Sequence, residues 1–152
     1  MTSLTSACPS GDERVQLFAL LLETNARLAR RLSLELESTC DLPLAWFDVL
    51  VQLRKAPEGR LKMNQIADAI VHSTGGTTRL IDRLEEAAFV ERQNCPNDRR
   101  AIHVAITPAG NDKLDQAFQV HLEYLDGNLC ARLSPEERAT LTQLLTKLNA
   151  SR

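Results

Sequence analysis

Apolar residues recur at helical spacing along most of this chain, and the pattern switches to strict alternation only once. From about Asp12 to Glu37, Val15, Phe18, Leu22, Ala26, Ala29 and Leu36 keep the helical period. Leu17, Leu20, Leu21, Leu28 and Leu32 widen that face. No Gly or Pro interrupts, so the stretch predicts one long helix. Its apolar surface is too broad to be covered from one side, which points to a partner chain. Leu42-Pro43 opens a second helix, with Pro in the first turn, carried by Trp46, Phe47, Leu50, Val51 and Arg54. Pro57-Glu58-Gly59 stops it. A third helix, from about Met63 to Val71, is expected to bury Ile66, Ala67 and Ile70. A fourth begins after Ser73, whose hydroxyl suits an N-cap. Its inward face is Thr77, Leu80, Ile81, Leu84 and Ala88, and its outward face Thr74, Gly75, Thr78, Arg79, Asp82 and Arg83.

The period then becomes two. Val90 to Gln93 reads as a short strand, Asn94 to Arg100 as a turn-rich loop, and Ala101 to Ile106 as a second, β-branched strand. Together they make a hairpin with a basic tip. Thr107-Pro108 reads as N-cap and first residue of a long helix through Leu114, Phe118, Leu122 or Leu125, and Leu129. Ser134-Pro135-Glu136-Glu137 is a capping box, and Leu141, Leu144, Leu145 and Leu148 mark the last helix. Residues 1–11 hold no periodicity and read as a loose tail. With no repeat and no linker, 12–150 reads as one domain.

Composition narrows the class. The chain has 152 residues, 43% hydrophobic and 25% charged, which suits a single soluble globular domain. Charge breaks every apolar run well before the ~20 residues of a membrane helix, and Met1 to Gly11 lacks the features of a signal peptide, so no membrane is expected and the cytoplasm is the expected compartment. Net charge is −2, which does not advertise nucleic-acid binding, but a local basic patch doubled by dimerisation can act on an acidic background. Cys8, Cys40, Cys95 and Cys130 are far apart, and with His72, His103 and His121 they form no metal-ligand spacing. His103 and His121 read as surface residues, and His72 as structural or phosphate-facing. There is no phosphate loop and no nucleophile elbow, so neither a metal, a cofactor nor an enzyme is expected.

Helices, a tight turn, then a hairpin with arginines at its tip make a winged helix-turn-helix, mainly α with a small β-hairpin (α+β). The helix after Ser73 is short enough for a DNA major groove. Gly75 and Gly76 cost helix propensity, and close approach to a phosphate at a positive helix end is a physical return for that cost. Ser73, Thr74, Thr77 and Thr78 are within reach of phosphates or bases, and Arg79 and Arg83, one turn apart, suit backbone or guanine. Arg79 and Arg83 could instead be spent on Asp82, Glu85 or Glu86. Asn97, Asp98, Arg99 and Arg100 form the hairpin tip, whose arginines suit a narrow minor groove.

At these residues the sequence resembles the MarR-type winged-helix transcriptional regulators. The resemblance rests on Thr77 to Glu85, Val90-Glu91-Arg92, Pro96-Asn97-Asp98-Arg99-Arg100 and Ile106-Thr107-Pro108-Ala109-Gly110, and extends over about residues 12–150. It implies that Arg100 is the minor-groove arginine, that Asp98 holds the wing by pairing with a basic group, and that Thr74 to Arg79 face the major groove. It implies a homodimer on double-stranded DNA, with dimerisation helices at about 12–38 and 108–149, a DNA-binding lobe at about 60–106 and a pseudo-palindromic operator. It also implies a small aromatic or anionic effector that releases a repressor, with Trp46, Asp48 and Arg79 as candidate lining groups. Trp46 suits core or dimer packing as well, and Asp48 a local cap or pair. Gly75 and Lys62 depart from the family, which often has Ser at the first and a capping Thr or Ser at the second; Asn64 or Gln65 could compensate for Lys62. Two other readings keep the fold: a redox-sensing regulator using Cys8 or Cys95, and a winged-helix protein-interaction module that never touches DNA.

Overall fold

The computed structural model describes residues 11–70, 76–95 and 98–150, with backbone alone at 95 and 98–101. The first helix, α1, spans Glu13–Cys40. Asp12 caps it, its Oδ1 accepting from the Arg14 amide at 2.9 Å. The helix outruns the apolar pattern by about a turn. Its end is set by the main chain: Asp41 adopts the left-handed conformation at φ 49°, and the Asp41 and Leu42 amides donate to the Glu37 and Leu36 carbonyls. The second helix, α2, spans Leu44–Lys55, so Pro43 is its N-cap and not a first-turn residue. A single 3₁₀ turn at Pro57–Gly59 follows.

Next comes a strand that the pattern does not reveal, β1 at Arg60–Lys62, which is too short to display a period. The third helix, α3, spans Met63–Ala69. Lys62 stands at its N-cap position, and Gln65 does compensate, its Oε1 accepting from the Lys62 amide at 2.9 Å. Ile66 is fully buried and Ile70 half-buried, whereas Ala67 is exposed, because a seven-residue helix turns only one residue fully into the core. The fourth helix, α4, spans Thr77–Glu86 with Gly76 as N-cap. It starts later than the reading from Ser73 expected. Gly76 therefore lies outside the helix and incurs no propensity cost, and Ser73 lies outside the described residues. Ala88 is exposed, not inward, since the chain has already left the helix and turned through φ 62°.

The strands β2 (Val90–Cys95) and β3 (Asp98–Ile106) pair antiparallel and run further toward the tip than expected. Within the supposed loop from Asn94 to Arg100, Asn94 pairs with Ile102 and Cys95 with Asp98 across a register shift, and Asp98, Arg99 and Arg100 belong to β3 by backbone. The sheet order is β1-β3-β2, with Leu61 opposite Val104 and Arg92 opposite Val104 on the other side.

The fifth helix, α5, spans Pro108–Leu125 and is capped by Thr107, whose Oγ1 accepts from the Gly110 amide at 3.0 Å. The same hydroxyl donates to the Ala88 carbonyl at 2.7 Å, and the Thr107 amide donates to the Phe89 carbonyl at 3.1 Å. The turn after α4 is thus stitched to the start of α5. A Cβ on Gly110 would lie 2.1 Å from the Phe89 carbonyl oxygen, so only glycine fits. A π-helical turn, Asp126–Cys130, leads to α6, Pro135–Asn149, which carries the expected Ser134–Glu137 capping box.

One apolar cluster joins Leu36, Leu50, Leu53, Ile66, Ile81, Leu84, Val104 and Leu114, all fully buried. Helix α2 is its hub and touches α1, α3, α4, α5, β1 and β3. Arg54 at the far end of α2 fastens it to α5. Its guanidinium donates to Asn111 Oδ1 at 3.0 Å, to the Asn111 carbonyl at 2.6 Å and to Asp115 at 2.6 Å, and lies 5.8 Å from the Phe118 ring centre.

Candidate nucleic-acid interface

Helix α4 is sharply two-sided. Ile81 and Leu84 go into the core, Thr77 and Leu80 are half-buried, and Thr78, Arg79, Asp82 and Arg83 are exposed. Among the described residues no side chain caps its first turn, Gly76 standing at the N-cap, so α4 turns backbone N–H groups and the positive end of its dipole toward the side of Thr78 and Arg79. Such an end is complementary to a phosphate.

Beside it stands the β2–β3 hairpin, joined to it by Arg92, a residue that the sequence suggested only as part of the Val90-Glu91-Arg92 resemblance. Arg92 of β2 reaches across to α4. One end of its guanidinium donates to Asp82 at 2.5 Å and the other to Glu85, while the Arg92 amide donates to Glu85 Oε1 at 3.1 Å. Burial works against the Arg92 cation, but the hydrogen bonds and charges of Asp82 and Glu85 outweigh it, and its pKa stands above that of an ordinary arginine. The sequence offered a signal, since a cation on a strand beside two acids on the preceding helix is a natural cross-element pair. Spacing alone could not say which acid belonged to which arginine. Among the described residues Arg79 and Arg83 form no ion pair, which removes the reading in which they are spent on Asp82, Glu85 or Glu86.

Of the other expected contacts, Ser73, Thr74, Gly75 and Asn97 lie outside the described residues, and Asp98, Arg99 and Arg100 are placed by backbone alone, at the start of β3. Gly76 is exposed, and among the described residues nothing stands within 4 Å of where its Cβ would be.

A helix presenting exposed arginines beside a two-stranded hairpin is the geometry of known regulators. A model of the MarR family matches residues 41–101. The multiple antibiotic resistance protein MarR of Salmonella typhimurium is 31% identical over 137 residues, covering 90% of this chain and 93% of that protein. The chain belongs to the MarR family. A mutant of the Escherichia coli MarR solved with operator DNA superposes with a TM-score of 0.79 at 30% identity, over 95% of this chain and 100% of that one. The HTH-type transcriptional regulator YkoM of Bacillus subtilis is 33% identical over 89 residues, 59% of this chain and 57% of that protein. The function class is accordingly that of a MarR-family transcriptional regulator and not of an enzyme.

The candidate effector residues of this MarR-family chain are not drawn together by any direct bond to Arg79, which stays exposed on α4. Trp46 is half-buried on α2, its ring edge-on to Phe89 at 6.1 Å. Asp48, on the same helix, is half-buried. Cys8 lies outside the described residues, and of Cys95 only the backbone is described. Cys40 is half-buried, donates to the Leu36 carbonyl at 3.1 Å, and has its pKa pushed up by burial, the opposite of a reactive thiol. Cys130 is exposed in the π-helical turn. His121 is not the surface residue expected from its isolation in sequence. It packs edge-on to Phe47 at 5.1 Å and parallel to Phe118 at 6.3 Å, and burial lowers its pKa. No cluster of His, Cys, Asp or Glu that could hold a metal is found among the described residues. Among them, too, no helix is long and apolar enough to cross a membrane.

Proposed function

We propose that this protein is a cytoplasmic repressor that binds a pseudo-palindromic operator as a homodimer and lets go when a small aromatic or anionic effector binds. The observation that carries the DNA reading is the uncommitted Arg79–Arg83 face of α4, held beside the hairpin that ends in Arg99 and Arg100. In this reading Ser73 to Arg79 and Arg83 meet the major groove, and Asn97 to Arg100 the minor groove. The operator complex of the E. coli relative supports that assignment by likeness. The homodimer reading rests on apolar surface that stays exposed among the described residues. Val15, Leu17, Phe18, Leu20 and Leu22 on α1, and Leu141, Leu144, Leu145 and Leu148 on α6, are all exposed, and α6 buries no residue at all. An isolated helix of that length is marginal in water, so α6 needs a second surface. Two-fold symmetry then sets the recognition helices about one DNA turn, roughly 34 Å, apart. For the effector, the Trp46–Phe89 contact is where α2 meets the turn leading into the hairpin. A ligand bordered by Trp46, Asp48 and Arg79 would alter the lobe spacing there and lower DNA affinity by the same coupling.

The test is a salt-dependent gel shift on the promoter beside the protein's own gene. Retardation should weaken steeply with salt, and Arg100→Ala should cost about tenfold, the weight of a charged contact. Unchanged binding by Arg100→Ala overturns the wing assignment. Binding that ignores salt and survives loss of Arg83, Arg99 and Arg100 points instead to a protein-interaction module.

A further inference from the structure

The exposed side of α4 has an internal conflict. Arg79 and Asp82 are three residues apart on α4, a spacing at which opposite charges on a helix attract each other. Left alone, Arg79 would be drawn to Asp82, and the start of α4 would show a phosphate less net positive charge. The structure resolves this from outside the helix. Arg92, entering from β2, takes Asp82 and Glu85 with the two ends of one guanidinium, and its side chain is only 25% exposed against 49% for Asp82 and 39% for Glu85. The planar fork matches two carboxylates at once, which a lysine could not do. Ion pairs this exposed contribute little to stability, so stability alone is a weak reason for the arrangement. Its electrostatic consequence is larger, because it decides whether Asp82 is free to draw Arg79 away from a phosphate.

We infer that Arg92 is a positioning residue for DNA binding: by occupying Asp82 it keeps Arg79 available to phosphates. The inference rests on the DNA-binding reading above. Without the Arg92 charge, Asp82 turns to Arg79, and each subunit neutralises one phosphate fewer.

Gel shifts across a salt series on the same promoter duplex test this with Arg92→Met, Asp82→Asn and the double variant. Arg92→Met keeps the apolar stem and should bind about tenfold more weakly, with the salt slope reduced by about one per subunit. Asp82→Asn should bind at least as tightly as the unaltered chain, and adding it to Arg92→Met should restore binding to within about twofold, because no carboxylate is left to capture Arg79. A tether that merely braces the hairpin predicts the reverse: Asp82→Asn weakens binding and the double variant stays as weak as Arg92→Met. Either of those results overturns the inference. Asp82→Asn decides the matter even where Arg92→Met fails to fold. An unaltered chain that never shifts the duplex sinks the DNA-binding reading itself, a failure distinct from variants that shift it equally well.

Discussion

Single residues here act through the space or the charge they leave to others. Gly110 lets the α5 backbone approach the Phe89 carbonyl, and Thr107 bonds the same turn from the side. Because the obstruction is backbone and not a flexible side chain, Gly110→Ala should destabilise the fold by about 3 kcal/mol, at the upper end of overpacking costs. Thermal or urea unfolding measures it, and a change below ~0.5 kcal/mol would mean that the turn yields easily. The Thr-Pro-Ala-Gly run was legible as a helix start and as a resemblance. Why its glycine is obligatory was not legible, because the obstructing atom is twenty-one residues away in sequence. Arg92 is the parallel case in charge, visible as a residue and silent as to which acids it meets.

Among the elements, α2 is the hub, and its junction with α5 is held by Arg54 at one point and by the Phe47–His121–Phe118 stack nearby. Burial lowers the His121 pKa, so the folded protein holds fewer protons there than the unfolded chain does. Stability should be full above about pH 6.5, the unfolded value, and should decline as pH falls from there toward the lowered folded value. Melting temperatures at pH 7.5 and 5.5 check this against His121→Phe, which keeps an aromatic ring and should show a smaller loss over that interval. Equal losses in the two proteins would exclude His121 as the cause. Periodicity placed α1, α2, α5 and α6 well because their apolar residues recur over many turns. It missed β1, which has three residues and exists only by pairing with β3, and it misjudged His121, whose neighbours come from a different helix.

At the scale of the whole molecule, a compact α2-centred lobe is continuous with helices whose leucines face outward. A second copy covering them would bring α1 and α6 of the two chains together. Replacing Leu145 with Glu should therefore shift a dimer to monomer at micromolar concentration, since a like charge would be buried on each side of the symmetric contact. Sedimentation reads the mass, and operator affinity should fall with it. A variant that stays dimeric would place the contact elsewhere.

The order of elements, the caps at Thr107 and Ser134, the outward arginines of α4 and the apolar excess of α1 follow from local rules, because periodicity, capping and charge are properties of neighbouring residues. Which carboxylates Arg92 holds, why Gly110 admits no side chain, how His121 is desolvated and where β1 finds its partner follow only from the fold. Each depends on groups that the chain brings together across distance, and no local pattern encodes which distant group will arrive.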